Sequence, residues 1–466
     1  MDICMSDSDE ETPLQAIKRA RVTNATCPYL DTVDRTVLDF DFEKICSVSL
    51  SDHNVYCCLV CGKYYQGRGI KTPAYFHALN EGHHMFINLH SRSVYCLPDD
   101  YEVKDPSLDD IKHVLFPRFS VDEIRHIDEH KLFIRALDGS EYLPGVMGLN
   151  NLKKTDYLNV TLQALSHVNM LRDYFLRGER DDSLAPLVLR FGELMRKMWN
   201  PRNFKGHVSP HEVWQAISRD SMKHFKADKQ SQPVELLQWM LNNLHKGLTK
   251  GKKGKQSIVH DCFQGKLKVT TFPLEREVAN KSAEEMVKAG LGESVETPFL
   301  MLTLDVPPAP LFKDAHQRSI IPQIPLVVLL KKYDGRTTTM DVRMGRRKQY
   351  AIISLPNYLI LHVKRFTKNY FFVEKNPTIV NFPVKSLDMK EYCAPEALKD
   401  GKGTKYDLVA NITHEGKPDE GTYKVHIKHE GTGQWYEMYD LNIQEAIPQY
   451  IAISEAYLAI FRRRLE

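Results

Sequence analysis

Residues 148–168 read GLNNLKKTDYLNVTLQALSHV and decide how the larger part of the chain is interpreted. After a polar loop, apolar side chains recur near helical spacing, at Tyr157, Leu158, Leu162 and Leu165. This spacing predicts a loop that feeds a helix with one apolar face, and either Thr155 or Asp156 stands at the N-cap position. A helix N-terminus is a place where a protein can lower the pKa of a cysteine and make a nucleophile. A carboxylate stands there instead, so the stretch is an active site or what remains of one.

The composition is that of an ordinary soluble globular protein, with 42% hydrophobic and 26% charged residues. A chain of 466 residues is too long for one small core and predicts two or three units. The formal net charge of +3 gives no argument for nucleic-acid binding, and no apolar run approaches membrane-spanning length. Residues 1–26 are polar and predict a disordered tail. The basic run KRAR at 18–21 is either a weak nuclear import signal or part of that tail.

Cysteine and histidine are concentrated near the start of the chain. Six of the nine cysteines fall between residues 27 and 96, and the acidic start has no secretory pattern, which favours metal binding over disulfides. Four nitrogen and sulfur ligands at suitable spacing predict one tetrahedral structural zinc ion, with the ligands Cys58, Cys61, His77 and His83. His84 is an alternative to His83. The remaining cysteines of this segment are core residues or part of a second site, namely Cys27, Cys46, Cys57 and Cys96.

From about residue 146 to the end, the chain reads as one large α+β unit. Apolar stripes at spacings of three and four predict helices over 184–200, 211–217 and 233–248. Runs of β-branched and aromatic residues predict strands over 299–306, 358–366 and 423–429. Between the two halves, the Gly/Lys loop KGLTKGKKGKQ (246–256) either contacts phosphates or is solvated.

Residues 27–125 resemble the zinc-finger ubiquitin-binding domain, a type found beside deubiquitinases. The resemblance rests on Cys46, the turn NVYCCLVCGKYYQGRG, the spaced histidines and the final segment FINLHSRSVYCLPDDYEV. The further ligands of members that bind several zinc ions would fall at Ser49, Gln66 and Pro73. The resemblance therefore implies a single zinc ion. Ubiquitin-binding members hold the Gly-Gly tail with an aromatic residue and an arginine, and Lys63 stands at the usual arginine position, which argues against tail binding.

The stretch 148–168 resembles the cysteine box of the ubiquitin-specific proteases, Gly-Leu-x-Asn-x-Gly-x-Thr-Cys-Tyr-x-Asn-Ser-x-Leu-Gln. Eight positions match, at Gly148, Leu149, Asn151, Thr155, Tyr157, Asn159, Leu162 and Gln163. Further boxes of that family follow in order, over 228–244, 261–267, 355–366, 380–383 and 421–441. The resemblance implies a papain-like fold of thumb, palm and fingers that follows the small zinc-binding domain.

The same resemblance implies that the family's chemistry is lost. A cysteine protease needs a thiolate, a histidine that accepts its proton, and an Asp or Asn that orients the imidazole. Asp156 stands at the thiolate position and Thr422 at the histidine position. Asp440 matches the orienting residue, and Asn151 matches the oxyanion donor. Because the missing pair acts as one unit in catalysis, the resemblance implies a protein without the family's activity.

Two further observations concern this region. Lys153 and Lys154 stand where the family prefers glycine and a small or amide residue, which implies that the substrate channel is filled or repurposed. Three histidines of the large unit are either substitute bases or ordinary surface and strand residues, namely His414, His426 and His429. The large unit has only Cys262 and Cys393, so a finger zinc held by four cysteines is excluded.

This arrangement, a zinc-finger ubiquitin-binding domain directly before a protease domain without catalytic Cys and His, resembles one branch closely. It is similar to the tri-snRNP-associated protein 2 family, also called the ubiquitin-specific peptidase 39 branch, from about residue 27 to the end. The resemblance implies a nuclear, non-catalytic pre-mRNA splicing factor that acts as a scaffold for the assembly or stability of the U4/U6.U5 tri-snRNP. Spliceosomal tri-snRNP proteins are the expected partners, and snRNA is expected to be reached through them. The alternative is an atypical deubiquitinase or a ubiquitin reader.

The expected organisation is a disordered tail at 1–26, a zinc-finger domain at 27–125, a linker at 126–145 and an inactive protease-like domain at 146–466. Members of the branch often carry a long Arg/Ser-rich head, whereas 26 residues precede Cys27 in this sequence.

Overall fold

A computed structural model describes residues 27–178, 181–252, 254–273, 285–286, 290–308, 321–341, 345–368, 372–398, 401–418 and 420–464. The predicted tail at 1–26 lies outside the described residues. The described chain forms two compact units. The smaller unit contains the residues up to Pro117 and two later segments, Arg135–Ser140 and Arg202–Lys205, and the larger unit contains the rest. The domain boundaries drawn from the sequence stay predictions.

The smaller unit is built on a five-stranded antiparallel sheet. Its strands, in the spatial order β2-β1-β3-β4-β5, are β1 Val55–Cys58, β2 Tyr64–Gln66, β3 Met85–Asn88, β4 Val94–Cys96 and β5 Tyr101–Val103. Its helices are α1 Pro73–Glu81 and α2 Asp109–Leu115. Successive side chains of a strand point to opposite faces. Val55 and Cys57 accordingly enter one buried cluster, whereas Tyr56 and Cys58 enter another on the other side of the sheet.

The first half of the larger unit is mainly helical. The helices are α3 Val121–Glu129, α4 Asp156–Ser166, α5 Asn169–Arg177, α6 Pro186–Trp199, α7 His211–Asp220, α8 Pro233–Leu248, α9 Ile258–Phe263, α10 Leu326–Leu330 and α11 Pro448–Ile451. Helices α6, α7 and α8 lie where the apolar stripes predict them, and α6 and α8 begin with a proline, which suits the first helical position. Among the described residues, no helix combines the length and apolar character needed to cross a membrane.

The second half is strand-rich, as predicted. Four short strands lie earlier in the chain, namely β6 Ile134–Arg135, of which Arg135 belongs to the smaller unit, β7 Glu141–Tyr142, β8 Gly148–Leu149 and β9 His207–Val208. The later strands are β10 Gly265–Phe272, β11 Glu293–Phe299, β12 Leu302–Asp305, β13 Gln323–Pro325, β14 Asp334–Asp341, β15 Arg346–Ser354, β16 Tyr358–Lys364, β17 Phe366–Lys368, β18 Val373–Lys375, β19 Ile379–Asn381, β20 Leu387–Asp388, β21 Lys405–Glu415, β22 Thr422–Lys428, β23 Trp435–Tyr439, β24 Asn442–Ala446 and β25 Ala456–Arg463.

Two sheets contain twelve of the sixteen strands from β10 to β25, and the other four form two separate pairs, β13 with β19 and β17 with β18. The larger has the order β12-β16-β25-β21-β22-β23-β24, with β20 paired to β21, and the smaller has the order β11-β10-β15-β14. The single strand predicted over 299–306 is divided between them, because β11 ends at Phe299 and β12 begins at Leu302. Buried residues from both sheets form one apolar cluster that includes Phe299, Leu302 and Ile352.

Helix α4 is buried on every side, whereas the sequence predicts one apolar face. All its residues from Asp156 to Ser166 are buried. Its polar side chains can be buried because they form hydrogen bonds with main-chain groups. Asn159 Nδ2 donates to the Leu149 carbonyl at 3.2 Å, and Gln163 Nε2 donates to the Met147 carbonyl at 2.6 Å. Buried polar groups cost little when they are paired in this way. The polar face therefore binds the segment that leads into the helix instead of facing water.

Candidate functional sites

The four predicted zinc ligands are brought together in the smaller unit. Cys58 ends β1, Cys61 lies in the turn that follows, and His77 projects from α1. His83 comes directly after Gly82, which ends α1 in a left-handed conformation with φ of 67°. Glycine adopts this conformation without steric cost, so the chain can turn back towards the two cysteines.

The distances between the donor atoms are close to those around a tetrahedral ion, with the two sulfur–nitrogen distances inside the expected range and the nitrogen–nitrogen distance slightly shorter. All four atoms lie within 4.8 Å of one another. Cys58 Sγ lies 3.6 Å from His83 Nδ1, Cys61 Sγ lies 3.4 Å from His77 Nε2, and the two histidine nitrogens are 3.1 Å apart. With zinc–sulfur bonds of about 2.3 Å and zinc–nitrogen bonds of about 2.0–2.1 Å, a tetrahedron has edges of about 3.3–3.8 Å. The Cys/His cluster is therefore suited to bind zinc.

The alternative ligand His84 points elsewhere. Its Nδ1 lies 2.7 Å from the Leu97 carbonyl oxygen, and its ring packs against Tyr29 with 4.0 Å between centroids and 32° between the ring planes. Cys57 is also turned away, because its thiol donates to the carbonyls of Cys58 and Gly62. Cys27 and Cys96 are buried in the apolar cluster on the opposite side of the sheet from Cys58.

A second cluster shows what stands at the positions of further family ligands. Ser49 Oγ donates a hydrogen bond of 2.8 Å to Gln66 Oε1. Cys46 Sγ accepts the N–H groups of Val48 and Ser49 at 3.4 and 3.3 Å. Burial would raise the pKa of Cys46, but the hydrogen bonds from Ser49 and its neighbours outweigh this and lower it. This turn therefore contains one cysteine, Cys46. Ser49 and Gln66, which are hydrogen-bonded to each other, stand where the family's further zinc ligands would be.

The structure also contains an aromatic–arginine pair that the sequence analysis missed. The Arg68 guanidinium lies 4.3 Å from the centre of the Tyr95 ring, and it forms an ion pair with Asp100. Arg68 follows the exposed Lys63 by five residues, and Tyr95 comes from β4, so only the folded sheet brings them together. Because Asp100 already binds this arginine, the guanidinium is engaged within the unit.

In the larger unit, Asp156 is the first residue of α4 and is buried. Thr155 is the N-cap residue, and its hydroxyl accepts the Leu152 N–H at 2.9 Å. The Asp156 carboxylate accepts the Tyr423 N–H at 2.9 Å and the Gln230 side-chain amide at 2.6 Å. Burial raises the pKa of Asp156, and the hydrogen bonds from Tyr423 and Gln230 oppose that rise. The carboxylate therefore ties α4 to β22.

Gln230 completes this connection. Its amide also donates to the Gly421 carbonyl at 3.0 Å, so one side chain bridges Asp156 and the residue that precedes Thr422. Thr422, at the predicted histidine position, begins β22 and is half-buried. A threonine hydroxyl has no basic nitrogen that could take a proton near neutral pH.

The two matching residues of the resemblance, Asn151 and Asp440, lie in contact. Asn151 Nδ2 donates to Asp440 Oδ2 at 2.9 Å, and Asn159 Nδ2 donates to Asp440 Oδ1 at 2.7 Å. The Leu149 N–H donates to the Asp440 carbonyl at 2.9 Å. Both oxygens of the Asp440 carboxylate thus receive amide donors instead of an imidazole.

The three candidate substitute bases have other surroundings. Burial lowers the pKa of His414 to about 4, and its ring packs against Phe366 and Tyr423. His426 Nε2 lies 3.0 Å from Glu437 Oε2, and His429 Nε2 lies 3.2 Å from the Pro144 carbonyl. Among the cysteines, Cys262 is buried and burial raises its pKa to about 12, so its thiol is not activated.

Comparison with known proteins identifies both units. The family model of ubiquitin carboxyl-terminal hydrolase matches residues 147–461. The model of the zinc finger in ubiquitin-hydrolases and other proteins matches residues 46–108. The predicted combination of a zinc-finger ubiquitin-binding-type domain and a ubiquitin-specific-protease fold is thereby confirmed.

Individual relatives cover almost the whole chain. Ubiquitin carboxyl-terminal hydrolase 39 of Homo sapiens is 49% identical over 98% of this chain and 84% of that protein. Pre-mRNA-splicing factor SAD1 of Saccharomyces cerevisiae is 29% identical over 98% of each. A solved structure described as an essential yeast splicing factor is similar with a TM-score of 0.76 and 28% identity, over 94% of this chain and 99% of that one. The chain therefore belongs to the ubiquitin carboxyl-terminal hydrolase family, in the branch that contains ubiquitin carboxyl-terminal hydrolase 39.

Proposed function

We propose that the chain is a non-catalytic pre-mRNA splicing factor of the nucleus. It acts as a scaffold for the assembly or stability of the U4/U6.U5 tri-snRNP and binds spliceosomal proteins, through which it reaches snRNA. The relatives named as splicing factors support this role because they align over nearly the full chain. The protease-like fold then serves as a docking surface, since a fold by itself does not determine an activity.

The observation that carries the non-catalytic assignment is the bonding of Asp156. A carboxylate is a weak nucleophile towards an amide, and this one already accepts hydrogen bonds from Tyr423 and Gln230. Thr422 offers no general base, and the carboxylate of Asp440 is held by asparagine side chains. Because nucleophile and base act as one unit, the loss of both removes most of the rate enhancement.

The Gln230 bridge supports the same conclusion from geometry. By the family resemblance, Asp156 stands at the position of the nucleophile and Thr422 at the position of its base, so a substrate would have to reach both. In this chain, the Gln230 side chain bonds to Asp156 on one side and to Gly421 on the other. A peptide tail that passes between α4 and β22 would have to displace this side chain and leave the Asp156 carboxylate short of a donor.

A single structural zinc ion completes the proposal. Cys58, Cys61, His77 and His83 would hold it, and closed sites with four protein ligands are typical of structural zinc. Ser49 and Gln66 bond to each other where further ligands would be needed, which supports a count of one. The ion would stabilise the small unit, whose strands have three or four residues each.

The test is complementation of a splicing-competent nuclear extract from which the endogenous protein has been removed. Addition of the wild-type chain should restore splicing of a reporter pre-mRNA, and U4, U5 and U6 RNAs should co-purify with the chain. In parallel, the purified chain is incubated with a fluorogenic ubiquitin substrate, with an active ubiquitin-specific protease as the positive control. No hydrolysis above buffer is expected.

Three results would separate the alternatives. Hydrolysis by the wild-type chain that disappears in the Asp156→Asn variant would establish an atypical deubiquitinase. Micromolar binding of ubiquitin in a calorimetric titration, without cleavage and without co-purifying snRNAs, would establish a ubiquitin reader. Failure to restore splicing, together with absence of all three RNAs from the purified material, would refute the scaffold function.

A further inference from the structure

Two exposed loops beside the Asp156 network carry a cluster of lysines drawn from separate parts of the chain. One loop precedes α4, and the other connects α7 to α8. Their exposed lysines, called the lysine rim from here on, are Lys153, Lys154, Lys223, Lys226 and Lys229. The loops are joined because the Lys154 N–H donates to the Ala227 carbonyl at 2.9 Å. Buried Phe225 anchors the second loop against Tyr157 and Trp239, with centroids 6.4 and 5.7 Å apart. The rim is therefore held in place by α4 and α8.

The positive charge of the rim is not neutralised within the described chain. None of its five ammonium groups forms an ion pair with a carboxylate of the described residues. Asp228 is the only acidic residue of 150–155 and 221–232, which leaves an excess of four positive charges in the two loops. Three carboxylates next to these loops are engaged elsewhere: Asp220 pairs with Arg219, Asp156 accepts hydrogen bonds from Tyr423 and Gln230, and Asp440 accepts them from Asn151 and Asn159.

The backbone at two rim positions favours glycine over lysine. Lys153 has φ of 135° and Lys223 has φ of 61°. Residues other than glycine adopt these backbone angles at a free-energy cost. The conformation at Lys153 is held by its N–H group, which donates to the Asn151 side-chain oxygen at 3.0 Å. Glycine at 153 would not carry this cost, so the backbone conformation alone does not account for a lysine at this position.

The side-chain chemistry of the rim fits a phosphate backbone better than a protein surface. The cores of protein–protein interfaces are apolar and poor in lysine, and the only large apolar side chain exposed in these two loops is Met222. Neither loop contains arginine, so a planar carboxylate would find no bidentate partner. Lysine is, by contrast, a common point-charge contact to phosphate oxygens. The described loops also expose no Phe, Tyr or Trp on which a base could stack.

We propose that the lysine rim binds the phosphodiester backbone of RNA without reading its base sequence. This contact is direct and goes beyond the proposed scaffold function, in which snRNA is reached through proteins. The lysine rim would then be a polyanion site beside the Asp156 network. Each lysine that contacts a phosphate releases condensed counterions, so binding must weaken with salt in proportion to the number of contacts.

The test measures RNA affinity of the full chain as a function of salt. The probe is a fluorescein-labelled single-stranded 20-nucleotide oligouridine, followed by fluorescence anisotropy between 50 and 200 mM KCl. The rim variant carries Lys153→Gln, Lys226→Gln and Lys229→Gln. The control variant removes the same charge from three exposed lysines of β10 and of the turn that precedes β14, as Lys266→Gln, Lys268→Gln and Lys331→Gln.

The expected size of the effect follows from counterion release. Each lost contact lowers the slope of log affinity against log salt by about 0.7 for a single strand, so three contacts lower it by about 2.1. Over the fourfold salt range, the wild-type affinity should therefore fall about 18-fold more than that of the rim variant. The control variant should keep the wild-type slope, and thermal melts should show that both variants are folded.

The proposal is overturned by any of three results: no binding of oligouridine at 50 mM KCl, equal loss of slope in the rim and control variants, or displacement of RNA by a glutamate 20-mer at equal charge concentration. The second would mean that net charge alone carries binding, and the third that the site prefers an acidic peptide. A 16-base-pair RNA duplex tested in parallel distinguishes single strands from helices as the preferred form. Splicing complementation does not depend on these outcomes, so failure here leaves the scaffold function standing.

Discussion

Replacement of Asp156 by alanine is the most direct test of the structural role assigned to this carboxylate. The change leaves the Tyr423 N–H without its acceptor at 2.9 Å and the Gln230 amide without its acceptor at 2.6 Å. Replacement by asparagine can keep an acceptor for both donors, because Tyr423 and Gln230 donate to the same carboxylate oxygen, Oδ2. The amide nitrogen of the asparagine then takes the place of Oδ1, which is buried and accepts no hydrogen bond from the described residues, so its N–H groups are left without an acceptor.

The magnitude can be worked from these contacts. The Tyr423 N–H is buried, and an unsatisfied buried donor costs about 1–3 kcal/mol. The Gln230 side chain is half-buried and can bond to water instead, so loss of its hydrogen bond to Asp156 costs about 0.5–1.5 kcal/mol. Part of this free-energy cost is offset because the variant no longer buries a carboxylate. Burial raises the pKa of Asp156 and so disfavours its charged form. A net cost of about 2 kcal/mol is expected for alanine and about 1 kcal/mol for asparagine.

Hydrogen–deuterium exchange of peptides that cover β22 measures this cost where it arises. A loss of about 2 kcal/mol in local opening free energy corresponds to about 30-fold faster exchange of the Tyr423 amide, and about 1 kcal/mol corresponds to about fivefold. Asp122→Ala is the matched control, because Asp122 also lies in the first turn of a helix but its side chain is 90% exposed. Exchange of β22 at the wild-type rate in Asp156→Ala, or an equal acceleration in the Asp122→Ala control, would refute the assigned role.

Two further predictions concern the zinc site and the acid sensitivity of the fold. Cys61→Ser should lower the zinc content measured by atomic absorption and unfold the small unit, because structural zinc contributes on the order of 10 kcal/mol of binding free energy in zinc-finger peptides. Cys57→Ser is the control and should keep the metal, since the Cys57 thiol donates only to backbone carbonyls. Equal zinc content in the two variants would contradict the assignment of Cys61 as a ligand. Burial lowers the pKa of His167 to about 3, so the folded state keeps this histidine neutral while the unfolded chain takes up a proton below about pH 6.5. Its contribution to stability is complete above that pH and is lost as the pH falls towards 3, by up to about 1.4 kcal/mol per pH unit. Urea midpoints measured from pH 7 to 4.5 should therefore fall less steeply for His167→Gln than for the wild type, and identical slopes would count against the reasoning.

The sequence predicts best what depends on neighbouring residues. Helix α8 begins and ends where its apolar stripe does, because a long amphipathic period with a proline at its first position leaves few alternatives. The Cys/His cluster is also predictable, since Cys58 and Cys61 share one turn and both histidines lie on or next to a short helix. In both cases all residues that form the structural feature lie within about thirty positions of one another in the sequence.

The sequence predicts less well what depends on distant partners. Asp156 is bonded to a side chain 74 positions away and to a main-chain group 267 positions away, and no local pattern indicates either. Helix α4 reads as amphipathic, because its polar residues look as if they face water when the segment that satisfies them is unknown. The lysine rim is hidden for the same reason, since its members are divided between two loops about 70 residues apart.

The retained positions of the family pattern have a physical explanation that does not require catalysis. Asn159 donates to Asp440 and to main-chain carbonyls, so it fastens α4 to the segment that leads into it. Asn151 fastens the same segment from the other side through Asp440. Substitution of either asparagine would leave a carboxylate oxygen short of its donor, which is costly in a partly buried position. Under the proposed non-catalytic function, Asn151 and Asn159 keep a structural role, because they hold the loop that carries Lys153 and Lys154. The match to the family pattern at these two positions is thus explained by folding, whereas the proposed loss of activity rests on Asp156 and Thr422, the residues that would have to react.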